Sequence, residues 1–304
     1  MLYRRILQTL IVIGLALPPF VAAADVQPPA EKGPFSTAAQ SKDEEDLRKQ
    51  DTHIRESTDR THKVDIAALA NIQSKYEQLL QKYPKSTSGW TGLAETLKYE
   101  AYWCYARRKF DKANLLFEKC LAAAKSGIAL EDSFKDEFIA AFASLYLGKI
   151  QRIKSNVCAW EKFCDSALDY ADRGLKLQKH TWLYDIKGCT YLELGLYQQR
   201  RHDLESAKNS YEQCVKNYQE ALPLSFSTDR NLIIYKSIAC AFYKLGCMEN
   251  VQASDQISDL KLGLSAAEDA LKIRPGYGAA EKYKAQILSA MNRRHKLPLT
   301  FAEQ

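Results

Sequence analysis

The side chains best able to do chemistry in this sequence are its eight cysteines and five histidines. Common zinc and haem sites need such residues at short spacings, for example Cys-x2-Cys or His-x3-His, and neither spacing occurs. Motifs that present a nucleophilic serine on a sharp turn or cradle a phosphate are also missing, and glycine accounts for only 13 of the 304 residues. The sequence therefore predicts neither an enzyme nor a bound metal or cofactor.

Two of the cysteines would face each other if the segments around them formed a helical hairpin. A turn near Arg201 brings Cys189 and Cys214 to the same level, so the sequence allows a disulfide bond between them. Cys120 and Cys214 also occupy the small-residue position of a recurring pattern described below, where a free thiol serves as a small apolar side chain. Two interpretations stay open: one or two disulfide bonds among the eight cysteines, or several buried thiols.

The N-terminal segment has the features of a signal peptide. Arg4 and Arg5 precede a mostly apolar stretch, and Ala22–Ala24 supplies small residues for cleavage before Asp25. An uncleaved signal anchor is the alternative. We expect residues 1–24 to be removed and the mature protein to be exported, as a periplasmic or secreted protein without membrane insertion.

Residues 25–63 show no pattern typical of a packed helix or strand. They contain prolines and a charged run but few large apolar side chains, so burial could not offset the entropy lost on ordering. We expect a disordered tether here, with a helix near its end as the alternative. The formal charge of the whole chain is only +6, and no basic stretch is interleaved with aromatic residues, which argues against nucleic-acid binding.

Small and aromatic residues recur in the rest of the chain at offsets 0, 4, 7 and 8. These offsets fall on one face of a helix, and small residues on a buried face let a neighbouring helix approach closely. The four copies are Ala113-x3-Phe117-x2-Cys120-Leu121, Ala167-x3-Ala171-x2-Gly174-Leu175, Ala207-x3-Tyr211-x2-Cys214-Val215 and Gly263-x3-Ala267-x2-Ala270-Leu271.

This pattern resembles the tetratricopeptide repeat family, whose units are helix–turn–helix pairs of about 34 residues. The resemblance implies an all-α fold: a right-handed α-solenoid of stacked antiparallel helix pairs over residues 64–292. Further matches to the two helices of that family are Ile72-x3-Tyr76-x2-Leu79-Leu80-x3-Pro84, Trp90-x2-Leu93-Ala94-x2-Leu97, Leu147-Gly148, Gly188-x2-Tyr191 and Ala239-x2-Phe242.

The hairpins are longer than those of the family. Nineteen residues separate the small first-helix residue from the second-helix alanine in Ala94–Ala113, Gly148–Ala167 and Gly188–Ala207, seven more than in the family. Seven residues make about two helical turns, so both helices can lengthen without rotating their buried faces. We expect units of about forty residues, a capping helix at about 277–293 and a C-terminal tail over 293–304.

The resemblance also implies a binding surface, because first-helix residues line the concave groove of this family. The matched positions are rich in basic side chains and favour an acidic or C-terminal peptide as ligand. Asp185 and Glu193 interrupt this basic track. The candidate partner-binding residues are Lys98, Tyr99, Lys149, Arg152, Asp185, Lys236, Tyr243 and Lys244.

The function predicted from these features is a non-enzymatic, exported scaffold for protein–protein interaction. Two alternatives remain open at this point. Accessible cysteines with a low pKa would favour a thiol-linked or redox adaptor. An exposed apolar terminal face would favour an envelope protein that self-associates end to end.

Overall fold

Antiparallel helix pairs build the whole of the described fold. The computed structural model describes residues 38–61 and 65–295, which contain eleven α-helices and one 3-10 turn and no β-strand. The helices are α1 (Ala38–Thr61), α2 (Ile66–Lys82), α3 (Thr87–Ala106), α4 (Phe110–Leu130), α5 (Phe134–Ile153), α6 (Val157–Leu177), α7 (Thr181–Arg200), α8 (Leu204–Ala221), α9 (Thr228–Gly246), α10 (Ala253–Ile273) and α11 (Gly278–His295), and the 3-10 turn is Leu222–Leu224.

The pairs α3–α4, α5–α6, α7–α8 and α9–α10 form four repeat units, since each of these pairs has a more extensive contact than any other pair of helices. We call α3, α5, α7 and α9 the first helices of the units and their partners the second helices. The helix pairs stack side by side and α11 packs on the last unit. The chain thus forms an all-α solenoid of tetratricopeptide-like units, as the sequence predicts.

The repeat is longer and more regular than the sequence suggested. The first helices begin at Thr87, Phe134, Thr181 and Thr228, each 47 residues after the one before. With this period, Ala167 is equivalent to Cys120 and Cys214 rather than to Ala113 and Ala207. The copy of the recurring pattern that begins at Ala167 in unit 2 is therefore offset by seven residues from the copies in units 1 and 3. The error was invisible in the pattern because a shift of two helical turns leaves the same face buried.

Local signals explain where the helices begin and end. Ser86, Ser133 and Ser227 accept a hydrogen bond from a backbone N–H of the following first helix, which satisfies one of its free donors. Within the first three units the turn contains a residue with φ near 60°, namely Arg108, Ser155 or His202. The turn of the fourth unit is longer and separates α9 from α10 by six residues.

Helix α1 corrects the tether prediction for the residues that the structure describes. It packs on α2 and α3, with Leu47 only 6% exposed. Glu44 accepts a hydrogen bond from the Ser86 hydroxyl at 2.6 Å, and buried Asp51 accepts one from the Tyr76 hydroxyl at 3.2 Å. The sequence predicts disorder in this segment because polar contacts, rather than a continuous apolar stripe, hold it in place. The predicted signal peptide, the first part of the tether and most of the C-terminal tail lie outside the described residues.

Candidate peptide-binding face

The first helices form one continuous face of the solenoid, which we call the inner face. Each first helix contacts the first helix of the next unit, and the series continues through α1 at one end and α11 at the other. Within the described residues, no comparable contact joins one second helix to the next. Because the first helices are closer together, they follow the shorter arc, and the inner face is the concave side of the array.

Aromatic rings form the core of this face where units 1, 2 and 3 meet. Tyr102 and Tyr105 of α3 contact Tyr146 of α5 with ring centroids 5.4 and 4.9 Å apart. Phe138 of α5 lies 5.0 Å from the Trp182 ring of α7. Such tilted and edge-on ring contacts stabilise the junctions beyond the burial of area alone. The inner face between units 1 and 3 is therefore well packed.

The candidate residues of unit 1 are mostly buried. Lys98 is only 3% exposed, and its ammonium lies 3.8 Å from the Glu95 carboxylate and 5.0 Å from the Phe138 ring. Tyr99 is half-buried, and its ring lies 5.1 Å from the Lys98 ammonium. Lys98 therefore holds α3 against α5 and does not line the groove, which corrects its assignment as a partner-binding residue.

The cations predicted in unit 2 contact the neighbouring unit. Lys149 donates a hydrogen bond to the Cys189 thiol at 3.3 Å and lies over the Tyr146 ring, 5.0 Å from its centroid. Arg152 forms an ion pair with Glu193 of α7. Glu193 thus neutralises the basic track rather than interrupting it, and both cations join α5 to α7.

The same holds between units 3 and 4. Asp185 of α7 forms an ion pair with Arg230 of α9 at 2.6 Å. Sequence reasoning missed Arg230, although the available signal was an opposite charge 45 residues away, close to one repeat period. It also missed Lys135, whose ammonium lies 3.0 Å from the Glu95 carboxylate across the junction of units 1 and 2.

The remaining candidates, in unit 4, have a different environment. Lys236, Tyr243 and Lys244 are half-buried on α9, and the Tyr243 ring lies 6.5 Å from the Tyr283 ring of α11. Lys244 lies 5.9 Å from the Tyr243 ring centroid. Within residues 38–61 and 65–295, neither lysine forms an ion pair. The cations available to a ligand are therefore found towards the C-terminal end of the inner face.

A buried carboxyl group lies where units 1 and 2 meet. Asp136 is fully buried, accepts a hydrogen bond from the Thr91 hydroxyl at 2.9 Å, and has no partner for its Oδ1 among the described residues. Burial raises the pKa of Asp136 to about 7, against the lowering effects of the Thr91 hydrogen bond and of Lys135. Glu95 adds to the rise in pKa because two carboxylates repel each other. Asp136 is therefore a group whose charge changes near neutral pH.

All eight cysteines are free thiols, so the bond suggested between Cys189 and Cys214 is not formed. Cys214 is buried and Cys189 is half-buried, with its sulfur accepting the Lys149 hydrogen bond. Burial raises the pKa of Cys120 and of Cys164 to about 12, which disfavours the reactive thiolate. Among the described residues, no group of three or more histidine, cysteine or acidic side chains could hold a metal ion.

We expect this burial to set the order of thiol labelling. Cys158 is exposed and should react first with a thiol reagent in the folded protein, followed by half-buried Cys189 and Cys247. The other five cysteines are buried and should react only after denaturation. Mass spectrometry of peptides labelled at successive times would check this order. Rapid labelling of Cys120 or Cys214 in the native protein would contradict it.

The helix pairs, their stacking and the inner face define a tetratricopeptide-like helical repeat protein. In the part of the chain that the structure describes, no helix is both long and apolar enough to cross a membrane. No family model and no curated protein matches the chain.

Three solved structures are similar in fold. TTC0263, a thermophilic tetratricopeptide protein of Thermus thermophilus, is 14% identical, with 82% of this chain and 99% of that chain covered and a TM-score of 0.47. MamA protein is 14% identical, with 77% and 97% of the two chains covered and a TM-score of 0.40. BtubC from P. vanneervenii is 17% identical, with 80% and 94% covered and a TM-score of 0.43.

Proposed function

We propose that the protein is a non-enzymatic scaffold that binds an extended segment of a partner protein along its inner face. The observation that carries this proposal is that neighbouring first helices are joined across every junction of the four units by specific polar pairs. Glu95–Lys135, Arg152–Glu193 and Asp185–Arg230 act in this way. A face fixed by such contacts loses little conformational freedom when a ligand binds, which favours affinity.

The cations of the inner face point to an acidic segment as the ligand. Those of units 1 to 3 already contact neighbouring groups, so such a segment would dock mainly at unit 4, through Lys236 and Lys244. Substituting glutamate for Lys149 and Arg152 would not test docking alone. A glutamate at position 152 would face Glu193 and weaken the junction between units 2 and 3.

Site-specific photo-cross-linking tests the docking face. A benzophenone side chain would replace Tyr102 or Leu196, which are half-buried residues two repeat periods apart on α3 and α7. The matched outer positions are Leu115, which is 53% exposed on α4, and exposed Lys162 on α6. We expect one partner segment to be cross-linked, in order along its sequence, from the two inner positions. Cross-linking of that segment from the outer positions alone would overturn the proposal.

The scaffold is also proposed to act outside the cytoplasm, on the strength of the signal-peptide features of residues 1–24. We expect a mature chain that begins at Asp25 when the protein is expressed with its export machinery. Edman sequencing or intact-mass measurement of the purified protein checks this prediction. A chain that keeps Met1 and fractionates with membranes would instead support the signal-anchor alternative.

A further inference from the structure

The C-terminal ends of α9 and α11 meet in a junction with an apolar floor. Tyr243 of α9 and Cys247, which follows the end of α9, pack with Tyr283 and Met291 of α11 around a small buried cluster that includes Ile287. The Tyr243 and Tyr283 rings are 6.5 Å apart and both are half-buried. We call this surface the α9–α11 junction.

Three cations lie at the junction: Lys244 is 5.9 Å from the Tyr243 ring centroid, and Arg293 and Arg294 follow Met291 in the last turn of α11. Lys244, Arg293 and Arg294 all act electrostatically on the Cys247 thiol, where they oppose the rise in pKa that burial causes. Arg293 also acts on the Tyr243 hydroxyl. Within the described residues, none of the three cations forms an ion pair.

This arrangement differs from the rest of the inner face. Each earlier junction contains a cation paired with a carboxylate, namely Glu95–Lys135, Arg152–Glu193 and Asp185–Arg230. A cation in the last turn of a helix is stabilised by the helix dipole, which accounts for single basic residues at the ends of α9 and α11. It does not account for three cations that converge from two helices and repel one another.

We propose that the α9–α11 junction binds an acidic segment of the partner protein, an assignment that rests on the docking function proposed above. The guanidinium groups of Arg293 and Arg294 can each pair with a carboxylate through two parallel hydrogen bonds. Lys236 extends the site along α9, because it lies seven residues before Tyr243 on the same helix. Seven helical residues span about 10 Å, which matches about three residues of an extended chain.

The test uses a fluorescein-labelled octaglutamate peptide and the purified protein in fluorescence anisotropy. We expect binding that weakens as salt rises, since the cations are partly solvated. The Arg293→Glu/Arg294→Glu variant should bind about tenfold or more weakly. The Arg293→Gln/Arg294→Gln variant should have an affinity between those of the glutamate variant and the wild type. It would replace the glutamate variant in the comparison if that variant failed to fold.

The matched control is Lys119→Glu/Lys162→Glu, which makes the same change in net charge on exposed positions of the second helices α4 and α6. Its affinity should stay within about twofold of the wild type. An equal loss in the control and the junction variants would show attraction by net charge alone and overturn the site. Wild-type protein that fails to bind the peptide would overturn it too. In that case, ordered cross-linking from the inner positions would show that the inner face still binds a partner segment, and that this segment is not acidic.

Discussion

The Asp136→Asn variant is expected to be more stable than the wild type at pH 8 and to lose much of the pH dependence of its unfolding. Asp136 is fully buried between units 1 and 2, and burial raises its pKa from 3.8 to about 7. A folded-state pKa above the unfolded value means that the folded protein holds a proton that the unfolded chain releases. The stability from this group is fully present below pH 3.8 and is lost as pH rises through about 7.

Above about pH 7 this pKa shift lowers the free energy of unfolding by on the order of 4 kcal/mol relative to low pH, where Asp136 is protonated in both states. Asparagine keeps the shape of the side chain and can still accept the Thr91 hydrogen bond without carrying a charge. The charged groups that act on Asp136 are Glu95 of α3, which opposes its ionisation, and Lys135 of α5, which favours it. The effect at pH 8 is therefore the balance of burial and Glu95 against Lys135.

Urea unfolding between pH 4 and 8 measures this effect, with Asp165→Asn on the exposed surface of α6 as the control. The control should follow the wild-type profile. If the Asp136→Asn profile also followed it, Asp136 would not be the buried titrating group of this junction.

The Gly92→Ala variant is expected to lose stability and to release α1. An added Cβ at Gly92 would overlap the ring of Tyr76, which is only 3% exposed and so has little room to move. Overpacking of this kind costs about 1–3 kcal/mol. The displaced Tyr76 hydroxyl would also lose its hydrogen bond with Asp51, which anchors α1.

Limited proteolysis with thermal melting separates these two effects. Cleavage within α1 should become faster in Gly92→Ala than in Gly278→Ala, where an added Cβ meets no neighbouring atom. A Gly92→Ala protein with a wild-type melting temperature and wild-type cleavage would show that Tyr76 does not pack against Gly92 as described.

The helix pairs could be predicted because small and aromatic residues mark a buried helical face wherever they recur. The repeat register could not be fixed in the same way, since Ala113 and Cys120 lie two turns apart on one face of α4 and either can be taken as its reference point. The 47-residue period follows from where the helices begin, at caps such as Ser86 and Ser133.

The candidate site was harder to predict because it depends on which charges become neighbours across units. Arg152 and Glu193 are 41 residues apart, so their pairing follows from the stacking of α5 on α7 rather than from any local pattern. Asp136 lies three residues after Ser133, as an ordinary acidic residue in the first turn of a helix would. The stacking of α5 on α3 and α4 buries it, and its carboxyl group faces Gly127 of α4.

Hydrogen exchange is the most direct test of the docking function. It would be measured on the protein alone and with a synthetic peptide of the partner segment that photo-cross-linking identifies. We expect slower exchange on binding in the first helices, most strongly in α9 and the C-terminal half of α11, with α4, α6 and α8 unchanged. Protection confined to those second helices, or to α1, would contradict binding on the inner face.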